Sequence, residues 1–185
     1  MPAHVIAILA TSWAAWAYPF IFLAPHSQKR PSVTLKAPTR LGLSLECLAI
    51  ALAFAFRLPP HQPLPWGRLL GGIVCGPIAG VLAWTAVRHL GRQFRVHAGL
   101  YEDHQLVTTG PYAIVRHPIY TSLLAVLACT LFLLTPWPWA VPSLALFLAG
   151  TEIRVHAEDG LLAARFGDSF AAYRRRVPAY LPFVR

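Results

Sequence analysis

The chain has 185 residues, 56% hydrophobic and only 12% charged, with a formal net charge of +9. A soluble domain typically carries roughly 25% charged residues, so this composition excludes an ordinary water-soluble fold and predicts an integral membrane protein. The basic excess sits at the ends of apolar segments, where it sets topology and meets anionic headgroups, which argues against nucleic acid as a partner.

The first apolar segment covers 5–23 and holds Trp13, Trp16, Tyr18 and Phe20. A cleaved signal peptide would begin with basic residues. The first Lys or Arg here is Lys29, so a retained span is expected. Residues 26–40 form a basic connection interrupted by Pro31 and Pro38. The second span is expected over 41–56, with Glu46 about one turn into it. A carboxylate at the bilayer centre costs roughly 2.5–3.5 kcal/mol on insertion scales. Glu46 is therefore expected either among headgroups or as the partner of an active-site arginine. After a proline-rich link, the third span (69–89) carries Gly72, Gly76 and Gly80 at four-residue spacing, a pattern that lets membrane helices approach closely.

The longest non-spanning stretch, 88–118, leads to spans four and five at 119–135 and 139–150. Only Pro136, Trp137 and Pro138 separate them, which predicts a tight antiparallel hairpin. Beyond it, Leu162, Phe166, Phe170 and Tyr173 recur every three or four residues, as in an amphipathic helix lying on the membrane or against the protein. Cys47, Cys75 and Cys129 all lie in apolar segments without a CxxC pair, so neither a disulfide framework nor a metal site is expected.

The fold class expected is all-α integral membrane, a single domain over 1–185 with five transmembrane helices, a cytoplasmic loop and a C-terminal amphipathic helix. The 26–40 and 88–118 connections carry four basic residues each and the C-terminal part six, against two in 57–68 and none in 136–138. With five spans the rich connections share one side, the cytoplasmic side of the cell membrane, leaving the N-terminus outside and the C-terminus inside.

Two polar segments, 104–120 and 154–183, then share that face. The first reads HQLVTTGPYAIVRHPIY, and the second opens with Arg154-x3-Glu158-Asp159 and runs on through F-G-x2-F-x2-Y-x-R-R-V-P-x2-L-P-F. In this order and spacing they resemble the isoprenylcysteine carboxyl methyltransferases, membrane enzymes that use S-adenosyl-L-methionine, and the wider group containing phospholipid N-methyltransferases. The resemblance implies that cofactor and that His104, Leu106, Val107, Gly110 and Tyr112 lie in its binding loop. It places Arg116, His117, Pro118 and Tyr120 in an Arg-His-Pro-x-Tyr element, and aligns Arg154, Glu158 and Asp159 with the family's Arg followed by acids. Arg116, Arg154 and Glu158 are thereby implied at the catalytic centre. Asp159 departs from the pattern, since Glu is usual there, and eukaryotic members carry additional N-terminal spans.

The residues support this independently. The chain has no G-x-G-x-x-G turn, so a Rossmann-like cofactor grip is absent. Arg116 or His117 could meet the cofactor carboxylate. Glu158 could accept from ribose hydroxyls or the amine, and Tyr112 and Tyr120 could pack on adenine or donate hydrogen bonds. Methyl transfer to a carboxylate needs chiefly alignment and removal of water. The expected partners are membrane lipids and a lipophilic small molecule or lipidated substrate entering from the bilayer. Phospholipid N-methylation and a nicotinamide-dependent sterol-type reductase are the alternative activities, and a non-catalytic channel or assembly protein is a third reading. His89, His97 and His156 lack a metal-ligand pattern and are expected in solvent.

Overall fold

The structure, a computed structural model, describes residues 2–23, 33–34, 36–59, 62–91, 99–100 and 105–182. His97, His104, Phe183 and most of the 26–40 connection lie outside the described residues.

Five helices make up nearly all of what is described: α1 (Ala3–Tyr18), α2 (Lys36–Ala55), α3 (Trp66–Leu90), α4 (Pro118–Leu133) and α5 (Trp137–Arg176). α1 runs on through a π turn at Pro19–Leu23, where Pro19 has no N–H to continue the i→i−4 ladder. A two-residue antiparallel ladder sets Val33 opposite Leu100. Among the described residues, three helices are long and apolar enough to cross a membrane, Ala3–Leu23, Ala37–Ala55 and Trp66–Leu90. α4 is apolar but shorter, at 16 residues.

The end of the bundle differs from expectation in two ways. α5 does not stop near Gly150: it is 40 residues long, and its one non-helical residue is Gly167, at φ 50°. The expected fifth span and the start of the amphipathic helix are one rod, because the residues after Gly150 change polarity without losing helix propensity. The expected tight hairpin also opens out. After a turn at Leu134, Thr135 and Pro136, α4 lies mainly on α3 while α5 lies mainly on α2.

Small residues and hydroxyls explain the divergence. A Cβ on Gly72 would strike the Leu133 side chain of α4, and one on Gly76 would fall 2.1 Å from Ser12 Oγ of α1. The glycine stripe of α3 thus seats two neighbours at once. Thr135 and Ser143 donate to the Ala53 and Ala49 carbonyls of α2 at 2.9 and 2.7 Å, drawing the start of α5 toward α2. Trp13 and Trp16 of α1 donate to Thr130 and Ser122 of α4 at 3.0 and 3.1 Å. Such interhelical bonds satisfy polar groups that hydrocarbon cannot. Fully buried Val126, Leu127, Ala49, Ala53 and Phe147 fill the space between.

Arg68, expected in a connection, is buried in the first turn of α3. It donates to the Phe132, Leu131 and Thr135 carbonyls at 2.7, 2.9 and 2.5 Å and lies over the Trp137 ring. It thereby caps the negative C-terminal end of α4.

Candidate active site

The other end of α4 carries the polar cluster. Leu106 and Val107 are half-buried in non-helical backbone leading to Gly110. Gly110 has φ 60°, and a Cβ there would lie 2.3 Å from the His89 ring, so the turn demands glycine twice over. His89, though exposed, is thus packed under this turn. A 3-10 turn over Gly110–Ala113 then buries Tyr112, whose carbonyl accepts from Tyr173 Oη at 2.5 Å.

Next, the backbone N–H groups of Arg116 and His117 donate to the Pro178 and Ala179 carbonyls, each at 2.8 Å. Thr121 Oγ1 reaches the Tyr180 carbonyl at 2.6 Å, and Tyr180 Oη donates to Glu152 Oε1 at 2.6 Å. The segment after α5 is therefore laced along the start of α4. Pro118 opens α4 at its first position, where a missing N–H costs nothing.

These constraints bring the two polar segments together. His117 lies between two carboxylates, Nε2 at 2.9 Å from Asp159 Oδ1 and Nδ1 at 3.3 Å from Glu158 Oε2. Arg116 Nη2 pairs with Asp159 Oδ2 at 2.8 Å, and its Nη1 donates to the Val177 carbonyl. Tyr120 Oη donates to Glu158 Oε1 at 2.5 Å, and the Arg154 guanidinium lies over the Tyr120 ring, 4.7 Å from its centre. Arg154 Nη1 in turn binds Glu46 Oε2 at 2.5 Å, and Thr151 Oγ1 donates to Glu46 Oε1 at 3.0 Å. Of the two places foreseen for Glu46, the structure has the arginine partner: Glu46 is 1% exposed.

Three acids therefore alternate with three cations from α2 through α5 to the start of α4. Burial alone would lower the His117 pKa, but its bonds to Asp159 and Glu158 and their charges raise it to about 9, so the ring is an imidazolium at neutral pH. Burial would raise Glu158 and Asp159; their bonds to His117, with Tyr120 and Arg154 on one and Arg116 on the other, hold both below the ordinary range. A network so matched is stable as a unit, and removing one member strands a buried charge.

Not every polar group is used up within the cluster, and Arg116 Nε is buried without a hydrogen bond among the described residues. Glu158 keeps 27% of its side chain exposed, whereas the Asp159 side chain keeps 7%. The Tyr112 hydroxyl is buried and makes no hydrogen bond among the described residues. Burial, and then the charges of Glu158 and Tyr173, push this phenol well above its usual value, so it remains a donor. An acceptor carboxylate whose charge is felt by a stranded donor suits a ligand such as S-adenosyl-L-methionine, which offers an amine and ribose hydroxyls to the first and acceptors to the second. Among the described residues, no three His, Cys, Asp or Glu side chains are placed to share a metal ion.

Sequence reasoning had the two segments but missed what holds them. A Cβ on Gly150 would meet the Gly42 carbonyl at 2.6 Å, and one on Gly42 would meet Arg154 Cγ at 2.5 Å. Gly42-x3-Glu46 on α2 and Gly150-x3-Arg154 on α5 are the same spacing, a signal present in the sequence. Nor did it foresee the part of Tyr173, Tyr180 and the carbonyls of residues 177–179.

Fold and site together define a class: an all-helical protein with membrane-length apolar helices and a buried, charge-balanced polar site built from three separated stretches of chain. The isoprenylcysteine carboxyl methyltransferase family model matches residues 72–164. A probable protein-S-isoprenylcysteine O-methyltransferase of Oryza sativa subsp. indica is 32% identical over 146 residues, 76% of this chain and 72% of that protein. The chain belongs to the isoprenylcysteine carboxyl methyltransferase family. The protein-S-isoprenylcysteine O-methyltransferase of Schizosaccharomyces pombe is 37% identical over 116 residues, 61% of this chain and 48% of its own length. The cobalt-zinc-cadmium resistance protein CzcN of Cupriavidus metallidurans is 38% identical over 100 residues, 54% of this chain and 41% of its own. The chain thus spans about half the length of several curated relatives it matches. The matched region contains every described residue of the sequence-derived site but neither Glu46 nor the segment after α5.

Proposed function

We propose that the protein is an integral membrane methyltransferase. It moves a methyl group from S-adenosyl-L-methionine to a lipophilic acceptor with an isoprenylcysteine-like carboxylate. In this reading α4 and the apolar half of α5 are spans four and five, and the site lies at the cytoplasmic face. The basic residues clustered on that side support the orientation. The observation that carries the proposal is Glu158, a partly exposed carboxylate fixed by Tyr120 and His117 in the same polar cluster as a stranded Tyr112 hydroxyl, inside the family-matched stretch.

What S-adenosyl-L-methionine supplies when bound is an electrophilic methyl group on a sulfonium that departs as a neutral thioether. The chain's own residues bind and align. Glu158 accepts from the amine or ribose hydroxyls, and Tyr112 donates from its buried hydroxyl. His117, held as an imidazolium, locks the Glu158 rotamer and keeps it ionised. Arg154, over the Tyr120 ring, supplies the positive charge facing the acceptor carboxylate. Arg116 has both η nitrogens engaged, by Asp159 and the Val177 carbonyl, so its part is to brace the site. No base is required, since a carboxylate acceptor is already the nucleophile. Alignment of this kind lowers a barrier by roughly 7–11 kcal/mol.

The O-methyltransferase names of the relatives favour this reading over phospholipid N-methylation and over a nicotinamide-dependent reductase. Calorimetry on the detergent-purified protein tests it. Saturable binding of S-adenosylhomocysteine and labelled methyl transfer to a prenylcysteine are expected. Saturable binding of NADPH, with no response to S-adenosylhomocysteine, would refute it.

A further inference from the structure

We infer that Glu46, on a helix outside the family-matched region, is a positioning residue that keeps the Arg154 guanidinium off Glu158 and so leaves that carboxylate open to the methyl donor. The inference rests on the methyl-donor reading above and assigns it a residue from α2.

Arg154 is the cation that Glu46 holds. Its guanidinium lies over the face of the Tyr120 ring, and the hydroxyl of that ring ends on Glu158 Oε1. In a buried site an arginine pairs with a carboxylate within reach, because an uncompensated charge is costly there. Among the described residues, two acids flank this arginine: Glu46 on α2, and Glu158 one turn further along α5. Glu158 is the one of the two with an exposed face, and it loses that opening if the guanidinium settles on it.

Glu46 prevents this by geometry. It is 1% exposed and cannot itself reach solvent or a substrate, so it acts through its partner. Its Oε2 takes Arg154 Nη1 at 2.5 Å, while Thr151 Oγ1 fixes Oε1 at 3.0 Å and sets the carboxylate plane. One turn before each residue the helices touch backbone to backbone, at Gly42 and Gly150, so the pair is clamped at its root. Glu46 sets a carboxylate deep in an apolar bundle. An acid there is expensive in a membrane helix, and the arginine it restrains accounts for its presence.

The test is the affinity for S-adenosylhomocysteine, measured by calorimetry in detergent on the full chain. Glu46→Gln keeps the shape and removes the charge. Donor affinity is expected to fall at least about tenfold, equivalent to about 1.4 kcal/mol. The double variant Glu46→Gln with Arg154→Met also removes the intruding guanidinium and is expected to return to within about threefold of wild type. A purely structural role for Glu46 would leave the double variant as weak as the single one. Glu46→Asp retains the charge and gives a second reading should Glu46→Gln not fold, with affinity again expected within about threefold of wild type. Wild-type affinity in Glu46→Gln, no recovery in the double variant, or a tenfold loss in Glu46→Asp would each overturn the inference. Failure of the wild-type protein to bind S-adenosylhomocysteine would instead refute the methyl-donor reading on which it stands.

Discussion

Replacing Gly150 by Ala is a sharp probe of the α2–α5 contact that underlies the site. The new Cβ would lie 2.6 Å from the Gly42 carbonyl oxygen, 3.0 Å from Leu45 Cβ and 3.2 Å from Glu46 Cγ, where ordinary contact begins near 3.4 Å. Two of these obstacles are backbone or backbone-proximal, so no rotamer change relieves them, and α2 must retreat by nearly an ångström. Overpacking of this kind costs about 1–3 kcal/mol. The same displacement stretches the Glu46–Arg154 bond from 2.5 Å, and a hydrogen bond between charged groups contributes about 1.5–3 kcal/mol. The combined loss is therefore expected at several kcal/mol, seen as a lower thermal midpoint in detergent together with weaker S-adenosylhomocysteine binding. Gly160→Ala is the control, because its Cβ meets nothing within 4 Å on the same helix. There the change should be neutral or stabilising by up to roughly 1 kcal/mol. If Gly150→Ala and Gly160→Ala unfold at the same temperature, the close helix approach does not exist.

Other expectations follow from the charges and hydroxyls. Tyr112→Phe removes a hydroxyl with no described partner, so stability should hold or rise while donor affinity falls about fivefold to tenfold, a net hydrogen bond of about 1 kcal/mol; equal affinity would mean the hydroxyl faces no ligand. Glu158→Gln should nearly abolish S-adenosylhomocysteine binding and methyl transfer while the protein still purifies as a monodisperse peak; unchanged binding would remove Glu158 from the site. His117 has a folded pKa of about 9, above its unfolded value near 6.5, so its contribution is full below pH 6.5 and is lost as pH rises through 9. The shift corresponds to a contribution on the order of 3 kcal/mol, so the thermal midpoint should decline between pH 7 and 10, and His117→Asn should flatten that decline. A midpoint that is level to pH 10 in the wild-type protein would contradict a charged His117. On the acid side, Glu158 and Asp159 are held low, so their contribution is present above the ordinary carboxylate range and lost only as pH falls below it.

Composition and periodicity determined the class of this protein. Long apolar runs can lie only in lipid or a large core, and they marked α1, α2 and α3 close to their observed limits. Gly110, Pro118, Arg116 and His117 were legible because turn, first-turn and charged residues in an apolar chain have few other uses. Tertiary structure alone decided the rest. Polarity changes at Gly150, but a helix ends where its backbone hydrogen bonding ends, and that is not before Gly167. Hairpin partners follow from which surfaces are small enough to meet, so α5 chose α2 through Gly42 and Gly150 while α4 chose α3. The charge of Glu46 was visible in the sequence, but whether it faced headgroups or an arginine depended on a helix more than a hundred residues away. Spacing along one chain fixes which side chains share a helix face; it does not fix which two faces pack, and here that packing joins Glu46 to Arg154.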